Sequence, residues 1–169
     1  MGWKNNKFQK FAINLLVIIS LSSYTNAGQL DEIVSSKKNT FQKIAIDIWE
    51  LAELGYLEHK SSELLADELR KNGFKITKGV ADIPTSFVAE YSNGGPIIGI
   101  LGEFDALPGL AQTSSPFKEV AQNETGAGHA CGHHLFGAAS AWAAVAIKEW
   151  IVENDINGTI RFYGTPAEE

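Results

Sequence analysis

The chain has 169 residues, 44% of them hydrophobic and 20% charged, with a formal net charge of −6. That length suits one domain of ordinary size, and that composition suits a globular fold rather than a disordered one. With 14 basic against 20 acidic side chains and no basic block, the sequence excludes an electrostatic case for nucleic acid as a partner.

The N-terminus carries Lys4, Lys7 and Lys10, then the apolar run "FAINLLVIISL", then "SSYTNA". Basic, apolar and small-residue segments in that order read as a secretory signal over residues 1–27, with cleavage after Ala27. The apolar run is short for a membrane span, so the expectation is a secreted or periplasmic protein with no stable membrane association after cleavage. Cys131 is the single cysteine, so it forms no intrachain disulfide and is a spare thiol, an intermolecular bridge or a ligand.

Residues 28–169 are expected to form one catalytic-domain portion. In "TFQKIAIDIWELAELGYLE", Phe41, Ile44, Ile48, Leu51 and Leu54 recur at helical spacing and predict an amphipathic helix. "KSSELLADELRKNGF" predicts a second helix, capped by Ser61 or Ser62 and stopped by Gly73. "KITKGV" and "TSFVAEYS" are short strand candidates. "NGGPIIGILGEFDALPG" is a turn, a nearly continuous apolar run and a second turn, which predicts a central strand buried on both faces. A long polar loop follows, "LAQTSSPFKEVAQNETGAG", and then an apolar helix over "LFGAASAWAAVAIKEWIVEN". Asn157-Gly158 marks a turn before a last strand. Helices alternating with buried strands predict an α/β sandwich with a mainly parallel sheet flanked by helices.

Three pairs of residues carry chemistry. Cys131 and His133, two apart ahead of the apolar helix, are the thiolate and imidazole that a borderline-soft ion such as zinc prefers. A helix start beside them would help the cysteine ionise. By themselves they fit an inert cysteine beside a capping histidine equally well. Glu168 and Glu169 follow a strand and a proline, so one carboxylate can hold a cation while the other faces water. Two solvated loop glutamates are the plainer reading of that pair alone. Glu103 and Asp105 leave the end of an apolar strand, where an ordinary turn is the alternative. His129 and His134 read as structural, and His59 as a solvated loop residue. In open α/β sheets ligands bind outside the carboxyl ends of strands, so the three pairs can converge there. A hydrolytic metal centre explains that convergence better than a glycosidase carboxylate pair, which leaves Cys131 and His133 without a role.

"GILGEFDALPGLAQ", "GAGHACGHHLFGAAS" and "TIRFYGTPAEE" resemble the dinuclear metallopeptidase family of aminoacylases, carboxypeptidases and amidohydrolases, in its aminobenzoyl-glutamate hydrolase-like branch. The likeness extends over nearly all of residues 28–169, and the motifs stand in family order. It implies two divalent metal ions, zinc or manganese, held in part by Cys131, His133 and Glu169. It implies Glu168 as the general base and Asp105 as the aspartate that orients a ligand, with Glu103 standing where peptidase relatives have a histidine. His134 replaces an aspartate or asparagine common in the family. The implied substrate is a small amide or dipeptide-like molecule. The family also has a late histidine ligand and an inserted lid domain that forms a homodimer, both absent from these residues. The sequence is therefore expected to be an N-terminal fragment of such an enzyme and inactive alone. The competing expectation is an inactive remnant that at most binds metal or a ligand.

Overall fold

The computed structural model describes residues 7–169, with side chains described from Gly28 onward. The expected signal segment, residues 1–27, thus lies outside the residues described in full. Helix α1 spans Lys7–Leu51. It is longer than the predicted amphipathic stretch and ends before Leu54. Its Phe41, Ile44 and Ile48 are buried, as their spacing predicts. Helix α2 spans His59–Lys71 and begins with the exposed His59. Its cap differs from the prediction. The Glu53 carboxylate, not a serine, accepts the Lys60 and Ser61 backbone N–H groups, at 3.2 and 2.8 Å. Gly73 does end the helix, with φ +87°, a conformation that only glycine adopts without strain.

Strands β1 (Lys75–Lys78), β2 (Phe87–Ser92), β3 (Ile97–Glu103) and β4 (Thr159–Thr165) form one sheet in the order β1-β2-β4-β3. Helix α3 spans His133–Glu153 and connects β3 to β4. The sheet is mixed rather than mainly parallel. β1–β2 and β2–β4 are antiparallel, and only β3–β4 is parallel. The reason lies in the connections: a short link returns β1 into an antiparallel β2, whereas a parallel pair needs a long crossover, here α3.

Strand β3 also departs from the prediction. It lies at the sheet edge among the described residues, with Ile97 58% and Leu101 54% exposed, rather than at the centre. An unbroken apolar run indicates tolerance of burial on both faces but not the number of neighbours.

One face of the sheet is packed by helices. Phe87, Ala89, Ile160 and Phe162 join Leu65 and Leu69 of α2, Ala141 and Val145 of α3, and Phe41 and Ile48 of α1 in a single core. Phe41 stacks on Trp142 with ring centroids 6.0 Å apart, tying α1 to α3. The opposite face carries the Glu90–Arg161 ion pair and Tyr163. Close packing of α3 on the sheet depends on glycine: a Cβ on Gly137 would lie 2.4 Å from the Glu103 carbonyl oxygen. The α3–β3 contact thus fixes the end of β3, from which Glu103 and Asp105 emerge.

Candidate metal centre

Three segments meet at the carboxyl ends of β3 and β4 and the N-terminus of α3. After β3 the chain pairs with the segment ahead of α3. Leu107 and Gly128 exchange two backbone hydrogen bonds, at 3.1 and 3.0 Å. A Cβ on Gly128 would stand 2.0 Å from the Leu110 carbonyl oxygen, so only glycine permits this approach. The pairing brings "GEFDALPG" against "GAGHACGHH". Gly132, at φ +88°, then turns the chain into α3, which begins at His133. His133 is therefore in the first turn and points back toward the strand ends.

His133 is the hub. Its Nδ1 lies 2.9 Å from Asp105 Oδ1, and Asp105 is buried. An ionised carboxylate only accepts, so the proton sits on Nδ1 and leaves the Nε2 lone pair free. Nε2 then faces Glu103 at 3.1 Å and both Glu168 and Glu169 at 3.8 Å. A lone pair facing three carboxylates is reconciled by a proton or by a cation. Asp105 also accepts the Glu169 backbone N–H through Oδ2, at 2.9 Å. It acts through His133 and Glu169 and does not itself face the donor cluster.

Cys131, His133 and Glu169 each bring a donor atom within 4.8 Å of the others. Glu103, His133 and Glu168 form a second such group. The two groups share His133, whose only free nitrogen is Nε2, so the described residues complete one three-donor set at a time. Sulfur, imidazole nitrogen and carboxylate oxygen, with the imidazole backed by a buried carboxylate, fit a divalent metal ion.

Protonation follows from the same crowding. The Cys131 thiol is pushed upward, first by its hydrogen bond with the Glu169 carboxylate and then by lost solvation and the neighbouring acids. The predicted help from the helix start is outweighed by these carboxylates. Glu103 is also raised, first by lost solvation, although His133 opposes this. A bound cation would reverse both shifts by favouring the thiolate and the carboxylate.

His129 and His134 lie behind the cluster. Buried His129 is bonded through Nε2 to the Ile48 carbonyl at 3.0 Å, which pins the Cys131 turn to α1. His134 packs its ring on His129 with centroids 5.0 Å apart, and burial lowers its pKa to about 4. A groove of about 990 Å³ lies between α1 and α2 against Lys43, Asp47, Glu63 and Asp67, and none of the donor residues lines it.

Sequence reading missed Glu53 and Glu58. Glu53 caps α2 and, through its carbonyl, accepts the Ala106 N–H at 2.9 Å. Glu58 is fully buried and bonds Ala167. Their only sequence signal is an acid just ahead of a helix, which ordinarily means capping.

Residues 99–169 match the model of peptidase family M20/M25/M40. The chain is 39% identical over 140 residues to one of the subunits of p-aminobenzoyl-glutamate hydrolase from Escherichia coli, covering 83% of this chain and 29% of that protein. It is 30% identical over 129 residues to hippurate hydrolase of Campylobacter jejuni, covering 76% of this chain and 32% of that protein. The fold is similar to a dinuclear metal-binding peptidase of the M20 family from Bacillus subtilis, with a TM-score of 0.63 and 28% identity. That match covers 79% of this chain and 36% of the Bacillus chain. The chain thus spans about a third or less of the length of the two hydrolases. Together, the sequence match and the fold identify a domain of peptidase family M20/M25/M40, a family of hydrolases.

Proposed function

We propose that the protein is a metal-dependent hydrolase of amide bonds in small acyl- or aryl-amino acids or small peptides. The convergence of Cys131, His133 and Glu169 within 4.8 Å, with Glu168 alongside, carries this reading. The related p-aminobenzoyl-glutamate and hippurate hydrolases support the substrate class.

Cys131, His133 and Glu169 would hold a divalent ion, zinc or manganese, and a second ion would draw on Glu103 and on donors beyond these residues. When bound, the metal would supply a Lewis acid for the amide carbonyl and make water easier to deprotonate.

Everything else falls to the chain's own groups. Asp105 holds His133 in one tautomer and fixes the Glu169 backbone. Glu168, whose side chain is 57% exposed, is open to solvent and substrate at the rim. It takes the proton of the attacking water and returns it to the leaving amine. Glu168→Ala in the full-length protein should lower kcat by about 10²–10⁴-fold. Chelator should abolish turnover. Glu168→Ala turnover equal to that of the parent would exclude the mechanism.

Export through residues 1–27 to a secreted or periplasmic location, and a homodimer formed through a lid domain, belong to the same reading. N-terminal sequencing of the mature protein should begin at Gly28; a mature protein that retains Met1 would contradict export by cleavage.

A further inference from the structure

Glu58 sits outside the donor cluster, yet it is one of the most buried acids in the protein, with 0% exposure. It occupies the position ahead of α2 where an acid ordinarily caps the helix, but its side chain makes no capping bond. Glu53 does the capping. The Glu58 carboxylate turns the other way, with each oxygen committed. Oε2 accepts the hydroxyl of the buried Thr85 at 2.9 Å. Oε1 accepts the backbone N–H of Ala167 at 2.8 Å.

Ala167 is the residue immediately before Glu168 and Glu169, and it stands at φ +56°. A residue with a Cβ holds that left-handed conformation only where its surroundings enforce it. The Ala167 side chain also packs on Gly55, where a Cβ would come within 3.1 Å. Two residues on, the Glu169 N–H is bound by Asp105. The turn that presents both glutamates is thus fastened at two amides by two buried carboxylates, Asp105 from the end of β3 and Glu58 from the α1–α2 connection.

We infer that Glu58 is a positioning residue: it holds the Pro166–Ala167 turn so that Glu169 reaches Cys131 and His133 while Glu168 stands beside them. The inference rests on the metal-centre reading for its consequence but not for its geometry. What the contact requires is an acceptor at Oε1, not a charge. Glu58→Gln keeps a carbonyl oxygen for Ala167 and offers an amide N–H to Thr85 Oγ1, which can accept it. Glu58→Ala removes the acceptor, and Glu58→Asp keeps the charge but falls one methylene short.

The test uses the full-length protein, with hydrogen exchange resolved at the Ala167 and Glu169 amides and titration with Co²⁺ alone. Glu58→Ala should lose protection at both amides and bind Co²⁺ about 10–100-fold more weakly, the usual effect of removing a group that orients a ligand. Glu58→Gln should stay within about threefold of the parent. If Glu58→Ala does not fold, Glu58→Asp should show the same losses. Retained protection at Glu169 in a folded Ala or Asp variant would overturn the inference. So would a Glu58→Gln loss as large as that of Glu58→Ala or Glu58→Asp. A parent that binds no Co²⁺ would sink the metal-centre reading, and the Glu169 amide would then decide the role of Glu58 by itself.

Discussion

Asp105 uses both of its oxygens on groups that matter to the site: His133 Nδ1 on one side and the Glu169 amide on the other. Both partners donate, so an amide side chain cannot replace it. Asp105→Asn would present an N–H to one of two donors and leave a buried polar group unpaired. The expected cost is about 1–3 kcal/mol of stability. Metal affinity should fall about 10–100-fold, because the imidazole loses the partner that fixes its tautomer. Denaturant melts and a competitive chelator titration would measure the two effects, and a variant matching the parent in both would contradict the assigned role. Cys131, His133, Glu168 and Glu169 stand out in the sequence as candidate site residues because their types and places, at strand ends and a helix start, limit what they can do, and the fold brings them together. Glu58 was not legible. An acid ahead of a helix looks like a cap, and only the folded chain shows its carboxylate turned toward Ala167.

Among the elements, the helices were the most legible. Phe41, Ile44 and Ile48 recur at the period of a helix face, and that face is buried. Gly73 marks a stop because few other residues adopt its conformation. The sheet was less legible. A run such as Ile97–Gly102 shows only that its side chains tolerate burial, and pairing direction is set by connections far away in sequence. Helix α3 then does more than cross from β3 to β4. Its Gly137 lets the helix settle against the Glu103 carbonyl, so the seat of α3 and the aim of Glu103 and Asp105 are one contact. Gly137→Ala should push the two apart and destabilise the protein by about 1–3 kcal/mol, as overpacking does. It should also weaken metal binding, although no donor is changed. Thermal unfolding with and without metal would separate these effects; unchanged stability would mean that the contact yields freely.

At the scale of the molecule, one polar cluster is built from three segments distant in sequence and backed by the apolar core. The end of α1 and the α1–α2 connection support it at three points: the Ile48 carbonyl for His129, the Glu53 carbonyl for Ala106 and the Glu58 carboxylate for Ala167. The front of the chain is thereby tied to the chemistry at its far end. The central claim is that Cys131, His133 and Glu169 hold one divalent ion between them. It is tested most directly by an anomalous difference map from crystals of the metal-loaded full-length protein, recorded at the metal's absorption edge. A peak is expected within bonding distance of Cys131 Sγ, His133 Nε2 and a Glu169 carboxylate oxygen. A map with no peak there, or with its metal coordinated by none of these three, would contradict it.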